Sequence, residues 1–233
     1  MTDPGLEIPW SATAEHVTRA LFTDPEQAAA RLELLAEWRA AGLRGDTSIA
    51  AAIRDSAHRH AAVRLTIASA DDTTTIGAAE AYGRAMHVAA GLADRGVAAG
   101  DRVAVQLPNS AEALVAYLAV NALGAVLVPI VQIYGPSDTT RILDAAGASV
   151  LITTRRRGRA DALDWLVDRA ELTVVFVGED PPSGATRWSD LSASAPLAEP
   201  AASGDSPAAL LFTSGTTGEP KGVVHTSSTL LAC

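Results

Sequence analysis

Short apolar runs alternate with helical segments between residues 103 and 177, and this alternation restricts the fold more than any other feature of the chain. Val103-Ala104-Val105-Gln106-Leu107, Val126 to Ile130, Val150 to Thr153 and Thr173 to Val177 are brief and rich in β-branched side chains. Between them lie an apolar helix that ends at Gly124, a short helix from Pro136 to Ala146 stopped by Gly147, and a helix from Asp161 to Ala170. Strands joined by helices need crossover connections. The result is an α/β fold with a mainly parallel sheet and helices on both faces.

The segments upstream have their own punctuation. Thr23-Asp24-Pro25-Glu26 carries a capping side chain and a first-turn proline, the start signal of a helix. Ala28, Leu32, Leu35 and Trp38 then share one face, which Glu33, Glu37 and Arg39 avoid, until Gly42. A second helix is expected from about Thr47 to His60. Arg64 to Ser69, Asp71-Asp72 and Thr73 to Ile76 read as strand, turn and strand. A long helix follows from Ala78 to Arg95, closed by Gly96. Residues 192 to 207 are rich in Ala, Ser, Pro and Gly without an apolar period, and read as a surface loop.

Composition narrows the partners. Of 233 residues, 48% are hydrophobic but only 4% aromatic, so the core must be built from Ala, Val, Leu and Ile. A formal net charge of -9 gives no long-range attraction to nucleic acid. One cysteine, Cys233, excludes an internal disulfide framework or a cysteine metal site. The N-terminal residues lack a basic-then-apolar secretory pattern, so a cytoplasmic protein is expected. Ala113 to Val131 is apolar apart from Asn121, but Gly124 and Pro129 divide it. It reads as a buried helix and a buried strand rather than a transmembrane segment.

The chemistry concentrates in Leu210-Leu211-Phe212-Thr213-Ser214-Gly215-Thr216-Thr217-Gly218-Glu219-Pro220-Lys221-Gly222-Val223-Val224-His225. A strand-forming run enters a loop of hydroxyls and glycines, and a second β-branched run leaves it. Glycines let backbone N–H groups approach an anion, and successive N–H groups can form a concave nest. Thr213, Ser214, Thr216 and Thr217 add hydroxyls. Lys221, the only lysine in the chain, adds a compact positive charge. The spacing is not that of a nucleotide P-loop, because Pro220 precedes Lys221 and Gly222 follows it. Nor does it match a nucleophile elbow or a dinucleotide fingerprint. Spacing alone leaves a phosphate cradle and a plain hairpin loop both open. Among other candidates, His58 and His60 stand two apart, which does not suit a helical metal pair. His16, His87 and His225 stand alone. Arg155-Arg156-Arg157-Gly158-Arg159 reads as a solvated basic turn, with phosphate or acidic-partner contact as its alternative.

The ten residues Thr213 to Gly222 resemble the signature loop of the adenylate-forming superfamily, which includes acyl-CoA synthetases, peptide-synthetase adenylation domains and firefly-type luciferases. Ala208 to Phe212, Gly96-Val97, Gly100-Asp101-Arg102-Val103, Leu107-Pro108-Asn109, Gly124 to Pro129 and Ile142-Leu143-Asp144 are similar to further family landmarks. The resemblance covers roughly Ile49 to Cys233, most of the chain. It implies the first half of a large adenylating domain, with residues 1–46 as a leading helical segment and 47–233 as a partial AMP-binding domain. It also implies that Thr213, Ser214, Gly215, Thr216, Thr217, Gly218 and Lys221 bind ATP phosphates. ATP with Mg²⁺ and coenzyme A would be the cofactors and a small carboxylic acid the substrate. The family's adenine, metal and ribose groups and its catalytic lysine would follow Cys233, so the chain is expected to be an inactive N-terminal fragment of an acid–CoA ligase. An acyl-AMP ligase serving a carrier protein and a non-catalytic phosphate-binding module are the alternatives.

Overall fold

The computed structural model describes residues 24–69, 73–155, 166, 169, 171–198, 203–213 and 221–232. Two helices lead, α1 at Pro25–Ala40 and α2 at Ile49–Arg59. The Asp24 carboxylate accepts from the Glu26 N–H at 2.9 Å, and the Ser48 hydroxyl from the Ala51 N–H at 3.0 Å. Each thereby satisfies a donor that has no partner within its helix. Ala28 and Leu35 of α1 are buried while Glu33, Glu37 and Arg39 are exposed, as the apolar period requires. An antiparallel pair follows, β1 (Arg64–Ala68) with β2 (Thr73–Gly77).

Helix α3 (Ala78–Ala93) then leads into a seven-stranded sheet. Its first strands are β3 (Arg102–Gln106), β4 (Val126–Pro129), β5 (Val150–Thr153) and β6 (Thr173–Phe176). They are followed by β7 (Thr186–Arg187), β8 (Pro207–Thr213) and β9 (Lys221–Thr226). Between or after them run α4 (Ala111–Ala122), α5 (Pro136–Ala146), α6 (Trp188–Ser192) and α7 (Ser227–Leu231). The spatial order is β7-β6-β5-β3-β4-β8-β9, and every neighbouring pair is parallel except β8 with β9.

Side chains alternate between the two faces of each strand, and two cores result. Val103, Val105, Leu127, Val150, Ile152, Val175 and Ala209 meet α3, α4 and Leu191 of α6 on the first face. Ala104, Val126, Val128, Leu151 and Leu210 meet Ile142, Leu143 and Ala146 of α5 on the second. The chain crosses from β3 to β4 over the first face and returns from β4 to β5 over the second. Opposite directions of travel using opposite faces is what a single crossover hand requires. Because both faces are covered, the strands read as unbroken apolar runs.

Helix ends explain why the boundaries fall where they do. Gly147 closes α5 in the left-handed region at φ 58°. The Arg102 guanidinium donates to the Ala146 carbonyl at 3.2 Å and the Gly147 carbonyl at 2.8 Å, placing a cation on the negative end of that helix. The apolar stretch before Val131 resolves into α4, a turn at Gly124 with φ 75°, and β4. Among the described residues no helix is long and apolar enough to cross a membrane.

Two features depart from the sequence reading. Strand β7 and helix α6 were not expected; two residues of strand carry no period and exist through pairing of Thr186 and Arg187 with Val175 and Phe176. The described residues of the stretch from 192 form a loop, as read, but one tied down at Leu197 and Gly204. The Leu197 N–H donates to the Met86 carbonyl at 3.0 Å, and the Gly204 N–H to the Asp46 carbonyl at 2.8 Å. A Cβ on Gly204 would sit 2.5 Å from the Gly45 carbonyl oxygen, so the leading segment presses directly on this turn. Asp205 adds ion pairs to Arg39 and Arg44, the latter at 3.1 Å. Most of the helix expected over 161–170 lies outside the described residues.

Candidate functional site

Strand β8 runs from the buried Pro207, Ala208, Ala209 and Leu210 through the half-buried Leu211 and Phe212 to the exposed Thr213. β9 returns antiparallel beside it, and Thr213 pairs directly with Lys221. Paired antiparallel residues lie about 5 Å apart at Cα, so the sheet pins the residues on either side of 214–220. Strand alternation puts Thr213 and Lys221 on the face that Ala209 and Leu211 turn toward the first core. A hydroxyl and an ammonium are thus brought to one mouth. Of the predicted phosphate-binding residues, Ser214, Gly215, Thr216, Thr217 and Gly218 lie outside the described residues.

The mouth opens at the carboxyl ends of the parallel strands, where open α/β sheets bind their ligands. Gln106, the last residue of β3, organises this edge. Its amide nitrogen donates to the carbonyls of Val131 (3.3 Å) and Tyr134 (3.2 Å) and lies 3.1 Å from the buried Thr139 hydroxyl. Those bonds tie the loop after β4 to the end of β3. Val131 and Ile133 of that loop are exposed, at 51% and 76%. Sequence reading passed over Gln106. Its available signal was an amide terminating the wholly apolar run Val103 to Val105.

A cavity of about 250 Å³ opens on the first face between α3, α4 and α6, with Arg84, His87, Glu112 and Trp188 among its walls. His87 Nδ1 is 2.7 Å from the Ser194 carbonyl, which can only accept, so that nitrogen carries the hydrogen. Arg84 is engaged by Glu80 one turn earlier at 2.6 Å. His87 therefore joins the wall of a cavity rather than standing alone. His58 sets its ring edge-on to Tyr82, with centroids 5.8 Å apart. Arg155 is not simply solvated: it donates twice to the Asp180 carbonyl and lies over the Phe176 ring, 6.0 Å from its centroid. Burial raises the Tyr117 phenol above its ordinary pKa. Among the described residues no three His, Cys, Asp or Glu side chains converge as a metal site.

The sequence model of the AMP-binding enzyme family matches residues 51–233. The chain belongs to this family. The match takes in both cores, Thr213, the loop and Lys221, and leaves α1 outside it. Among curated relatives, the medium-chain fatty-acid–CoA ligase of Escherichia coli is 33% identical over 211 residues, 84% of this chain and 36% of the relative. The salicyl-AMP ligase/salicyl-S-ArCP synthetase of Mycobacterium tuberculosis is 32% identical over 200 residues, 82% of this chain and 35% of the relative. The solved apo structure of MbtA from Mycobacterium smegmatis superposes with a TM-score of 0.71 at 30% identity, covering 84% of this chain and 37% of that one. The chain thus spans little more than a third of these AMP-binding relatives.

Proposed function

We propose that the chain is the N-terminal part of an ATP-dependent acid–CoA ligase, with residues 1–46 as a leading segment and 47–233 as part of its adenylating domain. The observation that carries this reading is the pairing of Thr213 with Lys221, which brings the two flanks of the Ser/Thr/Gly stretch together at the carboxyl edge of the sheet. In the proposed reaction a carboxylate oxygen attacks the α-phosphorus of ATP, and the bond to the β-phosphate breaks. Charge then grows on the departing pyrophosphate. Thr213, Ser214, Thr216 and Thr217 would donate hydroxyl hydrogen bonds to it, and Gly215 and Gly218 would let backbone N–H groups close on it. Lys221 would supply the countercharge. Fixed donors aimed at developing charge lower a barrier without reorganising. Mg²⁺ belongs to the proposal as the nucleotide's counter-ion, and no described residue is assigned to hold it. A thiol of coenzyme A would then attack the acyl carbon, and AMP would leave. The substrate class is a small carboxylic acid, and the cytoplasm is the proposed setting.

Acid-dependent exchange of labelled pyrophosphate into ATP tests the first step in a full-length protein carrying this chain. Exchange with at least one acid of a broad panel is expected; folded protein that exchanges with none overturns the reading. One relative is named a salicyl-S-ArCP synthetase, which supports a second reading in which a carrier-protein thiol takes the place of coenzyme A. Offering each acceptor to the preformed acyl-adenylate separates the two.

A further inference from the structure

Strands β8 and β9 are paired in two registers. At the base of the hairpin Pro207 faces Thr226. From Ala209 with His225 to Thr213 with Lys221, the pairing is offset by one residue, and Ala208 is the extra residue between the two sections. The base is held independently, by N–H groups of Ser227 and Ser228 on the carbonyls of Ser206 (3.0 Å) and Gly204 (2.8 Å). Were the base register to run on to the tip, β9 would slip by one residue. Lys221 would then face Phe212, and its side chain would swing to the opposite side of the sheet.

One contact fits only the observed tip register. A Cβ placed on Gly222 would lie 2.9 Å from Leu210 Cδ1 and 3.2 Å from Phe212 Cε1 and Cζ. Leu210 is 4% exposed and Phe212 packs half-buried against the same second core, so a Cβ at Gly222 would press on both side chains. The ring lies over bare backbone, an aromatic side chain covering a glycine in a terminal strand. A slip in either direction brings Lys221 or Val223 opposite the ring, and both carry a Cβ.

We propose that Phe212 and Gly222 are positioning residues for Lys221, a register lock that keeps the bulge at Ala208 and the ammonium on the first face beside Thr213. The lock rests on the hairpin geometry, and its purpose rests on the phosphate-binding reading of Lys221.

The single lysine makes a direct test possible. Selective ¹⁵N-lysine incorporation into the full chain yields one side-chain-bearing amide to follow, that of Lys221. The native chain should give one resonance with a cross-strand contact to Thr213. Gly222→Ala should weaken that contact, bring up a contact to Phe212, and speed exchange of the Lys221 amide by about tenfold or more through local opening. Phe212→Leu, which removes the ring atoms without adding bulk, should act in the same direction and serves if the alanine variant does not fold. The lock is overturned if the folded variants keep the Lys221–Thr213 contact at the native exchange rate, whatever their melting temperature. Acid-dependent pyrophosphate exchange by a full-length protein carrying this chain separates the two readings. If Lys221→Ala leaves exchange at the native rate while Gly222→Ala still slips, the phosphate reading falls and the lock stands.

Discussion

Along β3, Val103, Ala104 and Val105 are all buried; along β9, Lys221, Gly222, Val223 and Val224 are all exposed. Each run carries two valines. What differs is place. β3 has a parallel neighbour on each side and a core on each face, whereas β9 ends the sheet among the described residues. In the first region valines supply cohesion. In the second they leave a strand whose tip carries a charge and whose register has to be held by a glycine. On the proposed reading of Lys221, stability and chemistry fall to different strands of one sheet.

Substitutions can break this division. The largest effect on folding is expected in the centre. Ile152 of β5 is fully buried, and Ile152→Ala should destabilise the chain by about 2–5 kcal/mol, read by denaturant titration. A loss below about 1 kcal/mol would show that the centre is not the cohesive region. Lys221→Ala should do the reverse. It should leave the unfolding midpoint in place and, in a full-length protein carrying this chain, weaken ATP binding by about 10–100-fold in calorimetry, the value of a charge-assisted hydrogen bond. If instead it lowers stability and spares binding, the division of labour is inverted. Smallest of all, Val223→Thr on the exposed strand should change stability by no more than about 0.5 kcal/mol. A larger loss would mean that Val223 contributes cohesion despite its exposure.

Much of the fold could be read in advance because its signals are local. Pro136 opens α5, Gly147 closes it, and Val150 to Thr153 follows as a strand; each boundary is fixed by residues adjacent to it. β7 and α6 escaped because their cause is distant. Thr186-Arg187 is a strand only because Val175 and Phe176 pair with it. The site divides in the same way. The hydroxyl, glycine and lysine pattern of residues 213–221 is continuous in sequence, so a resemblance could single it out. Gln106 works on carbonyls of Val131 and Tyr134, which nothing in its own neighbourhood announces. Gly222 was visible as the last residue of a motif, yet its reason is a ring on the facing strand.

The contact of Asp205 with Arg39 and Arg44 joins positions more than 160 residues apart. During synthesis at about 5–20 residues per second, α1 leaves the ribosome roughly 8–30 s before the turn it will grip has been made. Over that interval the central strands can assemble without it. The turn before β8 gains its Asp205 ion pairs only once it meets Arg39 and Arg44. The turn that leads into the lysine-bearing hairpin is thus joined to residues made long before it.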